Sequence, residues 1–279
     1  MTNTATGSTG WTSEYLESAR DVWSLSISDE DRRLLWTDSL ARRWGEGEAA
    51  CATTRSFIRE SLDAVGFARI QNLMSPDAND ADLITGLSFV LDEVGGAVPQ
   101  NADGDLWTIL RDRDGDGATE LGFHCDTCDV LVLLCLQPAA DGGGNTKLAS
   151  ARLVHDIIQR ERPDVLALLK EEWTFDRTGR AGRQILVTPI LFTQDDGTVG
   201  CYYQTRTVRA SANLDARRLE ALDYLDEVLY RPEIAFGLRL AAGDLLMIRN
   251  SRVLHGRSPY IDVPGPPARR ILRAWMNER

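Results

Sequence analysis

Apolar positions change their period along the chain near residue 105. Before that point they recur at helical spacing from Trp11 to Trp23, from Thr53 to Val65 and from Asp80 to Gly95. Ser28-Asp29-Glu30-Asp31 opens a further helix, because acidic side chains suit the unpaired N–H groups of a first turn. Phe67-Ala68-Arg69-Ile70, after Gly66, reads as a short strand. From Leu106 onward the apolar runs shorten and are closed by Gly, Pro and Asp. They cover Leu106–Leu110, Val130–Leu136, Thr146–Ala149, Ile185–Phe192, Val199–Thr205, Asp244–Ile248 and Arg270–Met276. Two helices interrupt them, Ala151–Lys170 and Asp215–Tyr230. Many short strands bounded by turn residues predict a β-sandwich or jelly roll with helices packed outside. The organisation expected is a disordered segment at 1–10 and one domain over 11–279. Within it, 11–105 is mostly helical and 106–279 forms a barrel core with helical insertions.

Composition adds limits. With 279 residues, 43% of them hydrophobic and 26% charged, the chain can build a sizeable core without disulfides or a structural metal. A net charge of −11 disfavours nucleic acid and anionic membranes as partners. No apolar run approaches the roughly 20 residues of a membrane span, and Met1–Gly10 lacks the basic and apolar regions of a secretion signal. A cytoplasmic protein acting on a small molecule is expected, with a homodimer left open. The five cysteines, Cys51, Cys125, Cys128, Cys135 and Cys201, do not resemble a disulfide framework. Cys125 and Cys128 form a C-x-x-C, but no second pair completes a zinc site and the chain continues as a strand.

The chain has three histidines. In a strand, residues i and i+2 share a face, so His124 and Asp126 project together while Cys125 faces away. One imidazole beside one carboxylate is two-thirds of a 2-His-1-carboxylate triad, which leaves open positions on Fe(II). By itself this short motif better suits a surface or core histidine next to a turn aspartate. Nearer the C-terminus, the turn Gly243-Asp244 leads into an apolar strand, and His255-Gly256-Arg257 follows Asn250. In the strand beginning at Arg269, one face carries Arg269, Ile271, Arg273 and Trp275; the other carries Arg270, Leu272 and Ala274. Two arginines on one face of an apolar strand need anionic partners if buried, and a dicarboxylate matches their forked donors. An edge strand with solvated arginines is the alternative.

Together these motifs resemble a known family. Gly122-Phe123-His124-Cys125-Asp126, Gly143-Gly144-Asn145-Thr146, Gly243-Asp244, His255-Gly256-Arg257 and Arg269-x-x-x-Arg273 are similar to the taurine dioxygenase-like oxygenases. That group includes clavaminate synthase-like and amino-acid-hydroxylating enzymes. The resemblance runs from about Leu121 to the end. It implies an α+β fold with a double-stranded β-helix (jelly-roll) core and flanking helices. It further implies Fe(II), 2-oxoglutarate and O2, with His124, Asp126 and His255 as metal ligands. Arg269 would pair with the far carboxylate of 2-oxoglutarate and Thr146 would help hold it, with Arg270 as competitor because gap placement after His255 is open. Arg273 would face an anionic group of the substrate. Halogenating relatives lack the carboxylate ligand; Asp126 is present, so hydroxylation or a related oxidation of an amino-acid-like or specialised-metabolite substrate is favoured, with desaturation, ring formation and epoxidation left open.

Other residues carry less. Asp112-x-Asp114-x-Asp116-Gly117 imitates a calcium loop but has Phe123 where the bidentate glutamate belongs. His155 is read as a packing or surface residue, Arg257 as a brace for the loop after His255, and Trp107, Tyr202 and Tyr203 as core or rim. Arg206 could enter the pocket and meet a substrate anion. The alternatives to a C–H oxygenase are a non-catalytic jelly-roll binding protein and a zinc hydrolase with the same ligands.

Overall fold

A computed structural model describes residues 10–41, 47–74, 78–101, 103–112, 118–177, 185–211, 214–261 and 268–278. The N-terminal part forms α1 (Ser13–Ser18), β1 (Ser24–Ser26), α2 (Asp29–Ala41), α3 (Glu48–Ala64), β2 (Phe67–Gln71), α4 (Asp80–Val94) and β3 (Gly95–Val98). Then come β4 (Trp107–Leu110), β5 (Leu121–His124), β6 (Val130–Gln137), β7 (Thr146–Ser150), α5 (Ala151–Glu161), α6 (Pro163–Leu169), β8 (Glu172–Phe175), β9 (Leu186–Pro189), β10 (Leu191–Thr193) and β11 (Val199–Cys201). The chain closes with α7 (Thr205–Arg209), α8 (Ala216–Leu229), β12 (Phe236–Leu238), β13 (Leu245–Arg249), β14 (Val253–Arg257) and β15 (Arg270–Glu278).

The unbroken apolar run of β6 is buried from Val130 to Cys135, which requires a cover on both faces of its sheet. β6 lies inside a seven-stranded sheet ordered β1-β2-β13-β6-β15-β3, with β4 also paired to β15. Its outer face (Val132, Leu134, Met247, Leu272, Ala274) packs on Leu35, Ile58, Leu62 and Leu87 of α2, α3 and α4. Its inner face (Leu131, Leu133, Ile248, Ile271, Trp275) meets Leu148, Phe236 and Val253 of a second sheet. That sheet has four strands, β12-β7-β14-β5. Ala149, Leu254 and Phe123 on its outer face are covered by Val154, Leu166 and Leu225 of α5, α6 and α8. Helices, large sheet, small sheet, helices is the layering, and the two sheets form the jelly roll.

Several elements depart from the sequence expectation for local reasons. The helical spacing over Trp11–Trp23 gives the short α1, capped by Thr12 accepting from the Tyr15 N–H at 3.1 Å, and a single 3-10 turn at Arg20–Val22. Trp11 and Trp23 instead donate to the carbonyls of Val65 and Leu16 at 2.7 and 2.9 Å. Ala151–Lys170 is two helices, because Pro163 has no N–H and forces Arg162 to φ −141°, ψ 70°. Ile185–Phe192 divides at Pro189 and Ile190 into strands that pair with different partners, β8 and β11. Val199–Thr205 is strand only to Cys201, and Thr205 starts α7. The short strands β1, β3, β8, β12 and β14 have no turn-bounded apolar run of their own; the helical part at 11–105 thus supplies three strands to the large sheet. The acidic turn at Asp112–Gly117 lies outside the described residues from 113 onward, as does the segment 1–9. No helix among the described residues is long and apolar enough to cross a membrane.

Candidate functional site

Strand alternation aims one set of side chains into the space between the sheets. On β14, Val253 and Leu254 belong to opposite cores, so His255 returns to the inner face. On β5, Phe123 is outer and His124 inner. The two strands pair antiparallel with His255 opposite His124, and their rings stand 4.3 Å apart at 52°. Asp126 lies just beyond the end of β5 while Cys125 turns into the outer core. Among the described residues, His124, Asp126 and His255 form a group able to hold a metal, with ligand atoms within 4.8 Å of one another.

Each ligand is oriented by a neighbour. His124 Nδ1 is 2.9 Å from the Gly122 carbonyl; donating there leaves Nε2 with its lone pair for a metal. Asp126 Oδ2 accepts from Trp275 Nε1 at 3.0 Å, and the Asp126 N–H donates to Asn250 Oδ1 at 3.1 Å. His255 Nε2 and Arg273 Nη1 approach the same carboxylate oxygen at 3.8 and 3.9 Å. Burial, with His124 beside it, pushes His255 down to about 3, against the pull of Asp126. Burial opposes the charge on Asp126, yet His255, His124, Arg273 and the Trp275 N–H outweigh it and hold the carboxyl below its ordinary value. Two imidazoles and a carboxylate held in its charged form on one side of a hollow fit a divalent metal with open positions opposite.

Two cavities meet at this group. The smaller, about 190 Å³, is lined by Thr146, Tyr260, Arg269, Ile271 and Arg273 beside the triad. Arg269 is buried, its guanidinium 5.0 Å from the Tyr260 ring centre. Gly144 makes room for it: at φ +68°, a Cβ there would stand 2.8 Å from Arg269 Nε. The Gly144 N–H ties this turn to the Pro259 carbonyl at 3.0 Å. Arg270 falls on the other side of the strand and does not line the cavity. The larger cavity, about 390 Å³, is lined by Glu120, Gln204, Arg206, Asp226, Tyr230 and Arg273 beside His124 and Asp126. Arg273 belongs to both. Its Nε donates to Gln100 Oε1 at 2.6 Å.

The structure therefore gathers His124, Asp126, His255, Thr146, Arg269, Arg273 and Arg206 around one hollow. Arg206 arrives on α7 rather than at a strand end. His155 stays on α5 beside Asp156, 3.0 Å away. Arg257 donates to the carbonyls of Ser258 and Thr119 at 3.1 Å each while also edging the smaller cavity. Tyr203 is buried in the outer core, and Tyr202 and Trp107 pack at core edges. Cys125 points toward the Cys201 carbonyl and Cys128 accepts from Asn250, so the C-x-x-C thiols do not converge. Sequence reasoning missed Gln100 and Asn250. Trp275 was on the right face without a role.

A family model described as "Taurine catabolism dioxygenase TauD, TfdA family" matches residues 43–275. Similar curated proteins include FR-33289 synthase of Streptomyces rubellomurinus, 27% identical over 96% of this chain and 83% of that protein. A uridine-5'-phosphate dioxygenase of Amycolatopsis sp is 29% identical over 80% of this chain and 89% of that one. Among solved structures, asparagine oxygenase with Fe(II), 2S,3S-3-hydroxyasparagine and succinate superimposes with a TM-score of 0.70 at 16% identity, covering 91% of this chain and 93% of that one. The non-heme iron oxygenase OrfP with Fe and alpha-ketoglutaric acid gives 0.66 at 16% identity, with coverages of 91% and 93%. At those identities the superpositions establish the shared fold.

Proposed function

Because the chain belongs to the TauD/TfdA dioxygenase family, we propose that it is an iron(II)- and 2-oxoglutarate-dependent oxygenase that hydroxylates a C–H bond of a small anionic substrate. An amino acid or a specialised metabolite of similar size fits this reading. The observation that carries it is convergence: the neutral His255, the oriented His124 and the ionised Asp126 stand where two cavities meet, each cavity with its own arginine.

His124, Asp126 and His255 hold the metal. Iron(II) with 2-oxoglutarate and O2 supplies the oxidising power for the C–H bond and leaves succinate and CO2. The chain contributes orientation and dryness. Arg269 takes the far carboxylate of the co-substrate in the smaller cavity, where its fork can bond both oxygens, and the Thr146 hydroxyl donates beside it. Arg273, held by Gln100, and Arg206 face an anionic group of the substrate in the larger cavity. Apolar walls at Leu131, Leu133 and Ile271 exclude water from the reacting side. Relatives named for asparagine and for uridine-5'-phosphate both act on anion-bearing molecules, which supports this substrate class. Residues 11–279 act as one domain, and free thiols at all five cysteines suit the reducing cytoplasm.

Incubation with Fe(II), 2-oxoglutarate and air, followed by assay for succinate, tests the reading. Wild-type protein forms succinate, fastest with an acceptable substrate, and Asp126→Ala forms none. A metal-loaded wild type that makes no succinate with any anionic candidate would overturn it in favour of a non-catalytic binding protein. Activity that survives exclusion of oxygen would point to hydrolysis instead.

A further inference from the structure

The triad accounts for the metal, but not for how a carboxylate on a loop is kept from turning. Asp126 follows β5, outside the regular hydrogen bonding that fixes His124 and His255 on paired strands. A free carboxylate there could swing about its Cβ–Cγ bond, or bind with both oxygens and consume a position needed by co-substrate or O2. Two groups oppose this. Asn250, itself buried, pins the Asp126 backbone through its Oδ1 and donates to Cys128 through its Nδ2 at 2.9 Å. Trp275 pins the side chain, its Nε1 donating to Oδ2 at 3.0 Å.

Trp275 is in turn held firmly. It is buried on the inner face of β15, paired there with Leu131 of β6 and Val98 of β3. The Arg273 guanidinium lies 5.0 Å from the centre of its ring. Gln100 locks that arginine at two points, accepting from Nε at 2.6 Å and donating to the Arg273 carbonyl at 2.9 Å. An indole this constrained presents its N–H in one direction only.

We propose that Trp275 is a positioning residue for the metal centre, its indole N–H holding the Asp126 carboxylate in a one-oxygen pose that leaves co-substrate and O2 their positions. The inference rests on the metal role given above to Asp126. Groups that orient a metal ligand typically change metal affinity by about 10- to 100-fold when lost. Trp275→Phe keeps an aromatic ring and removes the N–H. A second variant carries benzothienylalanine at 275, nearly the shape of tryptophan with sulfur in place of N–H.

Three measurements are made on each protein: Mn(II) affinity by anaerobic titration, the visible charge-transfer band with Fe(II) and 2-oxoglutarate, and apo-protein thermal unfolding. Loss of Mn(II) affinity by about tenfold or more in both variants is expected, with a displaced or weakened band and an unchanged melting temperature for the benzothienyl protein. A merely structural tryptophan would move the melting temperature and leave the other two. If the benzothienyl protein binds Mn(II) like wild type and gives the same band, Trp275 has no such role, whatever Trp275→Phe does. A wild type that binds no metal and shows no band would instead overturn the oxygenase reading, and this inference with it.

Discussion

Replacing Arg269 separates the co-substrate role from its neighbour's. The side chain is 9% exposed, so the far carboxylate of 2-oxoglutarate would meet it where water cannot substitute. Arg269→Ala removes one partner of a buried charge pair, at a cost of about 3–5 kcal/mol. At 1.4 kcal/mol per factor of ten, the dissociation constant for 2-oxoglutarate should rise roughly 150- to 4000-fold. Arg269→Lys keeps a charge but not the fork; losing one charge-assisted hydrogen bond, about 1.5–3 kcal/mol, weakens binding roughly 10- to 150-fold. Arg270→Ala, on the opposite side of β15 and half-buried, should change binding by less than about twofold, as substitutions away from a site do. The assay is anaerobic titration of the Fe(II)-loaded protein with 2-oxoglutarate, read at the visible charge-transfer band, with circular dichroism to confirm folding. An Arg269→Ala protein that binds within threefold of wild type, or a larger loss in Arg270→Ala, would refute the argument.

Other outcomes follow from the same geometry. Gly144→Ala must adopt φ +68° and place a Cβ 2.8 Å from Arg269 Nε; it should raise the KM for 2-oxoglutarate several-fold while leaving Mn(II) affinity intact. Arg206→Ala should raise the KM for an anionic substrate tenfold or more, with 2-oxoglutarate affinity unmoved in the same titration. Mn(II) at 100 times its dissociation constant should stabilise the protein by about 2.7 kcal/mol in urea unfolding, and Asp126→Ala should lose that gain. Leu246→Ala, at a fully buried inner-face position, should cost about 2–5 kcal/mol in the same unfolding assay.

The chemistry was more legible than the architecture. Alternation in Arg269–Trp275 assigned each side chain to a face, and those faces hold: Ile271 and Trp275 lie in the inner core, Leu272 and Ala274 in the outer. Triad residues could be read because His124 and Asp126 are adjacent and histidines are few. Their meeting with His255 depends on the pairing of β14 with β5, and nothing local to Val253–Arg257 announces that strand. Pro163 was the missed signal for the split helix. Gln100 illustrates a different limit. It follows β3 and bonds to β15 at a sequence separation of 173, so only the assembled sheet gives it a role.

The walls of the hollow have separate origins. His124 and His255 sit on paired strands of the small sheet and Asp126 is tied to Trp275 of the large one, whereas Gln204, Thr205 and Arg206 of the larger cavity come from α7 and its approach, and Tyr230 from the end of α8. Residues from Thr205 onward and Tyr230 lie outside the pairing of β5 with β14, whereas Tyr203 and Gln204 bond the Cys125 backbone and hold the end of β5. Apart from Arg273, which lines both cavities, the metal group and the wall of the larger cavity lie on different stretches of chain. A lineage could exchange 205–211 and the residues after α8 to recruit a new molecule while keeping the strands that carry its metal group, and a designer could do the same.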